Sequence, residues 1–271
     1  MINNLDNTQL INEIIAISKE AGKIIMKIYS SNFDYQIKKD LSPLTKADQM
    51  SHEFICKKLQ LITPDIPILS EEDSDISFET RLVWDKYWLI DPLDGTKEFI
   101  KRNGEFTVNI ALIANNIPIL GVIHVPVSNE TYWGLKNKGS FYEEGEKKPE
   151  KINVSNETNT PIRITASRSH PSKQLNDFLE KIGDYKIIEK GSSLKFCLIA
   201  SGKADFYPRL GPTCEWDIAA GHAIAEYAGA KVTKTDGSKI LYNIKESYLN
   251  DNFFVSNGIL EDYDWDLTNI D

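Results

Sequence analysis

The hydrophobic pattern of this 271-residue chain changes near residue 150, and that change limits the possible folds more than any other feature. Before it, TVNIALIANN and IPILGVIHVPV indicate two strands joined by a turn at Asn115 and Asn116. After it, short apolar segments alternate with stretches of helical periodicity, which favours a partly parallel sheet covered by helices. The sequence therefore predicts an α/β fold, with an antiparallel sheet and helices in residues 1–150 and a mixed α/β sheet in residues 151–271.

Periodicity and capping signals predict the individual elements. Apolar residues recur at helical spacing from about Thr8 to Ile28, and a second helix begins after Pro43 with Thr45 as its N-cap. The runs IPILS, YWLID, TYWGL and GSFYEE favour strands of the first sheet. A polar stretch at 145–160, broken by a proline, is the predicted boundary. Beyond it we expect three strands, IRITAS, YKIIE and DFYPR, each followed by a helix.

Composition and charge exclude several classes of protein. Apolar residues make up 41% of the chain, yet no apolar run approaches the roughly 20 residues that span a bilayer. The chain carries 31 basic and 40 acidic residues without a basic run, which disfavours nucleic acid as a partner. Its three cysteines show no CxxC spacing, and its N-terminus lacks the pattern of a signal peptide. We therefore expect a cytoplasmic protein with a small-molecule ligand and no integral membrane segment.

The segment WLIDPLDGT carries the strongest chemical signal. An apolar strand is predicted to end at Asp91, where the following proline keeps the backbone extended. Asp94 then precedes Gly95 and Thr96, at which a short helix would direct backbone N–H groups toward an anion. Two carboxylates beside an anion suit Mg²⁺, although an Asp-Pro turn and a helix cap would use the same residues.

Three further acids occupy similar positions. Glu71 follows the apolar run that ends at Leu69, Asp217 opens a helix of small residues, and Asp48 lies one turn into the second helix. Each of them alone is equally typical of a helix cap, a first-turn acid or a solvated charge. Taken together, these acids supply the number of carboxylates that a pair of cations needs.

The segments LSEED, WLIDPLDGT and EWDIAAGHA together resemble the three signatures of the inositol monophosphatase superfamily, which comprises Mg²⁺-dependent, lithium-sensitive phosphatases. Their order and spacing match over nearly the whole chain. Within the superfamily, PLTKAD, ASRSH, GSSLKFC and YPRLGPT resemble the 3′(2′),5′-bisphosphate nucleotidase branch. Haloacid-dehalogenase phosphatases instead carry DxDGT, with a single residue between the aspartates, so a covalent aspartyl-phosphate is disfavoured here. The resemblance implies the layered α+β sugar-phosphatase fold.

The resemblance also implies roles for particular residues. Two or three Mg²⁺ ions would be held by four carboxylates and one backbone carbonyl, those of Glu71, Asp91, Leu93, Asp94 and Asp217. Thr96, with either Glu71 or Asp48, would orient and deprotonate the attacking water. Substrate contacts would come from Glu71, Leu93, Asp94, Gly95, Thr96, Ser167, His170, Gly191, Ser192, Lys195 and Asp217. Lys195 or Arg209 would meet a 5′-phosphate.

The implied reaction is hydrolysis of the 3′-phosphate of 3′-phosphoadenosine 5′-phosphate (PAP) to AMP and phosphate, by direct attack of a metal-activated water. The alternatives are an inositol or sugar monophosphatase on the same scaffold, or a cation-binding module without turnover. The resemblance leaves the oligomeric state open and allows peripheral attachment to the cytoplasmic side of the inner membrane. His52, His124 and His222 share no ligand spacing, so we expect them to be packing or surface residues.

Overall fold

The computed structural model describes residues 7–32, 34–37, 43–157, 159–168 and 173–258. Its helices are α1 Asn7–Tyr29, α2 Lys46–Ile62, α3 Phe78–Leu82, α4 Thr96–Ile100, α5 Lys173–Ile182, α6 Leu194–Ala200 and α7 Glu215–Tyr227. Its strands are β1 Tyr35–Ile37, β2 Pro43–Thr45, β3 Ile68–Ser70, β4 Lys86–Asp94, β5 Thr107–Ala114, β6 Ile117–Val125, β7 Glu130–Leu135, β8 Gly139–Glu144, β9 Glu150–Ile152, β10 Ile162–Ser167, β11 Tyr185–Lys190, β12 Phe206–Arg209, β13 Lys231–Lys234 and β14 Phe253–Ser256. No helix within these ranges is long and apolar enough to cross a membrane.

Seven strands form the first sheet in the order β3-β4-β5-β6-β7-β8-β9. From β4 to β9 every neighbouring pair is antiparallel, as predicted. The β5–β6 hairpin turns at Asn115 and Asn116 with φ angles of 50° and 62°, the pair of positive values that a type I′ turn requires. The edge strand β3 instead runs parallel to β4, because the connection through α3 returns the chain to the same end of the sheet. The prediction of an antiparallel sheet is wrong for this pair.

Strand β4 continues beyond its predicted end at Asp91. Asp91 pairs with Asn109 and Asp94 with Thr107, so β4 has one more residue than β5 between these two pairs. Such a bulge accommodates Pro92, which has no N–H to donate to the ladder. It therefore lets a single strand carry both aspartates of the motif.

The second sheet has five strands in the order β11-β10-β12-β14-β13. Strand β10 is parallel to both β11 and β12, whereas β14 is antiparallel to β12 and β13, which confirms the predicted mixed sheet. The sequence analysis did not predict β13 and β14. The predicted boundary at residue 150 falls at the start of β9, a strand of the first sheet, so the division into two halves stays a prediction.

The helices and sheets alternate in five layers. Helices α1 and α2 share one core with the face of the first sheet that carries Trp88 and Ile90. Helices α6 and α7 lie between the two sheets, where Ala219 and its neighbours pack with residues of both. Helix α5 covers the outer face of the second sheet, and its Phe178 contacts Phe206 and Phe254. This arrangement confirms the α/β fold class and places the first turn of α7 close to both sheets.

Candidate active site

Three carboxylates from distant parts of the chain converge at one point. Glu71 is the first residue after β3, Asp91 lies in β4, and Asp217 lies in the first turn of α7. One oxygen from each carboxylate lies within 4.8 Å of those from the other two. Pairing of the parallel strands brings Glu71 beside β4, where its N–H donates to the carbonyl of Ile90 over 3.1 Å. We call Glu71, Asp91 and Asp217 the carboxylate cluster.

Burial and mutual repulsion disfavour the ionised form of this cluster. Burial raises the pKa of Asp91 well above its ordinary value, and the charges of Glu71 and Asp94 raise it further. The pKa of Asp217 is raised by burial and then by Asp94 and Glu71. An all-oxygen donor set of this charge is what a hard divalent cation binds, and the charge of such an ion would offset the repulsion. The residues present therefore fit a divalent cation.

Asp94 lies beside the cluster and is oriented by three donors. Its Oδ2 accepts hydrogen bonds from Ser192 Oγ at 2.5 Å, from the Ser193 N–H at 2.6 Å and from the Asn109 amide at 3.4 Å. Ser192 adopts a φ of 54°, a left-handed conformation that is uncommon for serine. Its hydroxyl and the next N–H thereby reach the same carboxylate oxygen, so the second half of the chain fixes an acid of the first half.

Asp48 and Thr96 form a hydrogen-bonded pair close to the cluster. The N–H and hydroxyl of Thr45, the N-cap of α2, donate to Asp48 Oδ2 over 2.8 and 2.6 Å. Thr96 Oγ1 donates to Asp48 Oδ1 over 3.1 Å. Burial, only partly offset by the hydrogen bonds from Thr45, raises the pKa of Asp48 to about 6. A carboxyl group with a pKa near neutrality is suited to exchanging protons with a hydroxyl or a water.

The turn between β4 and α4 requires a glycine. Gly95 has a φ of 89°, and a Cβ there would lie 3.3 Å from the Cβ of Ser192 and 3.1 Å from the carbonyl of Glu105. Because glycine has no Cβ, the turn can pack closely against the loop that holds Asp94. The carbonyl oxygen of Leu93, a predicted metal ligand, lies 3.4 Å from Thr96 Oγ1, whose one hydrogen is donated over the shorter distance to Asp48.

A cavity of about 730 Å³ brings most of the predicted site residues together. Predicted residues from both halves of the chain line it: Glu71, Leu93, Asp94, Gly95, Thr96, Ser167, Ser192, Lys195, Arg209 and Asp217. Two predicted substrate contacts are placed differently. Gly191 is buried and donates its N–H to Glu105 Oε2 over 2.8 Å, while His170 lies outside the described residues.

Lys195 lines this cavity but is only 4% exposed. Its ammonium group donates to the carbonyl oxygens of Lys190 and Ser192, over 3.3 and 2.5 Å, and lies 5.5 Å from the centre of the Tyr207 ring. Burial lowers its pKa to about 8. The lysine therefore holds the loop that presents Ser192 to Asp94.

Arg209, at the end of β12, is more accessible than Lys195. One of its terminal nitrogens donates to the carbonyl of Pro212 over 2.6 Å. Its charge acts on the carboxylate cluster, since it lowers the pKa of Asp217 against the larger effects of burial and neighbouring acids. We call Lys195 and Arg209 the cationic wall of the cavity.

The structure adds residues that the sequence analysis missed. Asn109 and Ser193 bind Asp94 and one another, and Tyr207 lines the cavity beside the cationic wall. Asn109 left a signal, because it is the one amide within the apolar run TVNIALIA and a buried strand rarely keeps an unpaired amide. The sequence contains no such indication for Tyr207, because a strand of only four residues does not show which of its side chains face the cavity.

Each of the three histidines singled out in the sequence contacts a hydroxyl group. His52 contacts the hydroxyl of Ser70 at 2.9 Å, His124 that of Thr131 at 3.0 Å, and His222 that of Tyr242 at 2.9 Å. None of them belongs to the carboxylate cluster.

Comparisons with known proteins agree with this geometry. The 3′(2′),5′-bisphosphate nucleotidase CysQ of Escherichia coli strain K12 is 45% identical over 249 residues, which cover 91% of this chain and 99% of the relative. The protein of the same name from Buchnera aphidicola is 45% identical over 259 residues, 94% of this chain and 96% of the relative.

A solved structure shares the fold. It is CysQ from Bacteroides thetaiotaomicron, described as a bacterial member of the inositol monophosphatase family, with a TM-score of 0.82 and 39% identity over 94% of this chain and 99% of the other. The model of the inositol monophosphatase family itself matches residues 6–265. Because this match spans nearly the whole chain and the relatives are 45% identical to it, this chain belongs to the inositol monophosphatase family.

Proposed function

We propose that this protein is a Mg²⁺-dependent phosphatase that removes the 3′-phosphate of PAP, giving AMP and inorganic phosphate. The observation that carries the proposal is the cavity whose lining includes Glu71 and Asp217 of the carboxylate cluster together with the cationic wall, while the third member, Asp91, lies behind them within 4.8 Å. A nucleoside bisphosphate presents two phosphates, one for each of these features. The nucleotidase names of the relatives in E. coli and Buchnera support this assignment.

Five residues would hold two or three Mg²⁺ ions. They are the carboxylates of Glu71, Asp91, Asp94 and Asp217 and the backbone carbonyl of Leu93. When bound, the ions would supply charge neutralisation at the phosphate and lower the pKa of a water molecule. The three donors on Asp94 Oδ2 would fix the orientation of that carboxylate before any ion arrives.

Thr96 and Asp48 would position the attacking water and take up its proton. Because Thr96 donates its hydroxyl hydrogen to Asp48 Oδ1, the lone pairs of Thr96 Oγ1 can accept a hydrogen bond from water. The pKa of about 6 keeps most of the Asp48 carboxylate ionised at neutral pH and able to receive a proton. Glu71 remains the alternative base, since it belongs to the cluster itself.

The second half of the chain would select the nucleotide. Arg209 is better placed than Lys195 to meet the 5′-phosphate, because Lys195 is buried and donates to two carbonyl oxygens. A guanidinium group also binds phosphate oxygens in a bidentate manner. Ser167 and Ser192 line the same part of the cavity and would contact the nucleoside, as would His170 and the Gly191 segment. Cytoplasmic location and peripheral membrane attachment stay predictions.

Product analysis tests this function. The purified protein is incubated with PAP or with inositol 1-phosphate, in Mg²⁺ and after removal of metal by a chelator. We expect AMP and phosphate from PAP in Mg²⁺, little release from inositol 1-phosphate, and none after chelation. Faster hydrolysis of inositol 1-phosphate would make this an inositol phosphatase, and absence of release from both would leave a cation-binding module.

A further inference from the structure

We propose that a second cavity, behind strand β3, binds a thiophilic divalent cation of the Zn²⁺ or Cd²⁺ class through His52, Cys56 and Asp73. This cavity, of about 440 Å³, lies between helix α2 and the segment that leads into and out of β3. Gln60 and residues 64–68 complete its lining. We call it the His–Cys cavity.

The two ligands from α2 already have the spacing that such an ion requires. His52 and Cys56 are four residues apart, so their side chains lie on the same face of the helix. Cys56 Sγ lies 3.6 Å from His52 Nδ1 and 4.0 Å from His52 Nε2. In tetrahedral zinc sites, metal–sulfur and metal–nitrogen distances of about 2.3 and 2.0 Å place the two donor atoms about 3.5 Å apart. Because Ser70 Oγ already contacts His52 Nδ1 at 2.9 Å, Nε2 is the nitrogen left for an ion, and its 4.0 Å separation from Sγ would have to shorten by about 0.5 Å.

Asp73, which lines the same cavity, can supply a third ligand only after its carboxylate moves inward, since its oxygens do not lie within 4.8 Å of both other donors. It lies in the turn after β3, where its N–H donates to the carbonyl of Ser70 over 3.1 Å. Its negative charge acts on both His52 and Cys56. The Asp73 side chain is exposed, so it can rotate inward, and a water would complete a four-coordinate ion.

The His–Cys cavity is chemically distinct from the carboxylate cluster. Ser70, the last residue of β3, contacts His52 Nδ1, whereas Glu71, the first residue of the following turn, joins the carboxylate cluster. The cluster offers only oxygen, which suits Mg²⁺, and the His–Cys cavity offers sulfur and nitrogen, which suit softer ions. Each site therefore selects its own class of cation.

A redox role for Cys56 is less favourable than metal binding. Burial raises the pKa of this thiol to about 11, so little thiolate is present at neutral pH to react with an oxidant. A thiophilic metal displaces the thiol proton as it binds, and this requires no reactive thiolate beforehand.

The test is a titration of the whole protein with Cd²⁺ in excess Mg²⁺, followed by the sulfur-to-cadmium charge-transfer absorption. The excess Mg²⁺ occupies the all-oxygen cluster, which in any case gives no such band. We expect a band that saturates at one equivalent and disappears in Cys56→Ser. The matched control is Cys214→Ser, which removes the other partly exposed thiol of the described residues and should leave the band intact.

If Cys56→Ser does not fold, variants of the other two proposed ligands still test Cd²⁺ binding. His52→Gln and Asp73→Asn should each weaken Cd²⁺ binding, the former by at least about tenfold, with the thermal unfolding transition retained. Absence of the band in the wild type, its persistence in Cys56→Ser, or its loss in Cys214→Ser would overturn the proposal. Phosphatase activity does not enter the readout, so failure of the proposed function would leave this result unaffected.

Discussion

The carboxylate cluster and the cationic wall of the cavity are built in opposite ways. The cluster brings together one buried acid, Asp91, and two partly buried acids, Glu71 and Asp217, and loss of solvation followed by their mutual repulsion raises the pKa of Asp91 and of Asp217. In the cationic wall, Lys195 donates to two backbone carbonyls and Arg209 to another, so its charges are already partly satisfied. A bound cation would offset the repulsion within the cluster, whereas the wall still has a donor to offer, since Arg209 Nε is buried without a hydrogen-bond partner among the described residues.

This difference predicts separate roles, with catalysis by the carboxylate cluster and substrate selection by the cationic wall. The cluster would act on any phosphate ester, because the cations that it would hold take part in the chemical step and not in the choice of substrate. The wall can discriminate among substrates, because its one accessible cation, Arg209, meets only those that carry a second phosphate.

The largest effect is expected from Asp91→Asn. Removal of this carboxylate should reduce phosphate release more than about 100-fold, because a ligand of the cation is lost. The same change should raise the melting temperature of the metal-free protein, since a buried and mutually repelling charge disappears. Differential scanning calorimetry in chelator checks the second effect. Asp75→Asn, at an exposed acid of the segment that follows β3, is the control and should change neither quantity.

Retention of more than a few per cent of activity in Asp91→Asn at saturating Mg²⁺ would contradict the cluster as the metal site. The same result in Asp94→Asn would remove that residue from the ligand set.

Arg209→Gln should have a smaller and selective effect. Loss of a charge-assisted contact worth about 1.5–3 kcal/mol should lower kcat/KM for PAP roughly 10- to 150-fold. The value for 3′-AMP, which lacks the 5′-phosphate, should change little. Steady-state kinetics on both substrates give the comparison.

Lys195→Met tests whether Lys195 positions the loop or contacts the 5′-phosphate. Because Lys195 holds the loop that orients Asp94, its loss should weaken hydrolysis of PAP and 3′-AMP equally and lower the melting temperature. If Lys195→Met instead affects PAP alone, then Lys195 meets the 5′-phosphate, and its assignment to positioning is wrong.

The pH dependence of stability should report on Asp48. Its pKa is raised from 3.8 to about 6 in the folded protein, so folding favours the protonated form. The stabilisation from that proton is present below about pH 4 and is lost as the pH rises through about 6. The melting temperature of the metal-free wild type, relative to Asp48→Asn, should therefore fall by a few degrees over this interval. Parallel curves for the two proteins would show that the Asp48 pKa is not raised.

The smallest effect is expected from Ser192→Ala. It removes one of three donors to Asp94 Oδ2 and leaves the Ser193 N–H and the Asn109 amide in place. A net hydrogen-bond contribution of about 1 kcal/mol corresponds to about a fivefold loss of activity. Measurement of the Mg²⁺ concentration for half-maximal rate should show a parallel increase. An unchanged rate would mean that Asp94 needs no support from this loop.

The sequence singled out the members of the cluster because each follows a local signal, and their role as metal ligands is what the family resemblance implies. Asp91 and Asp94 belong to one uninterrupted motif, Glu71 directly follows an apolar run, and Asp217 opens a helix. Such positions can be assigned from periodicity and capping, and the structure brings three of these four within one cation's reach.

The supporting contacts could not be predicted in the same way. Asn109 reaches Asp94 only because a bulge in β4 shifts the register against β5, and no local pattern reports the register of a distant pair. Strands β13 and β14 were missed because each is four residues long and becomes a strand through its partner. The burial of Lys195 likewise depends on the second sheet closing over it.

The central claim is that the cluster hydrolyses a phosphate ester while the cationic wall recognises a second phosphate. The most direct measurement compares PAP with 3′-AMP on the wild type, as phosphate release over a range of Mg²⁺ concentrations. The account predicts that kcat/KM for PAP exceeds that for 3′-AMP by roughly 10- to 150-fold, with the same Mg²⁺ requirement for both. Equal values for the two substrates, or release from either without a divalent cation, would contradict it.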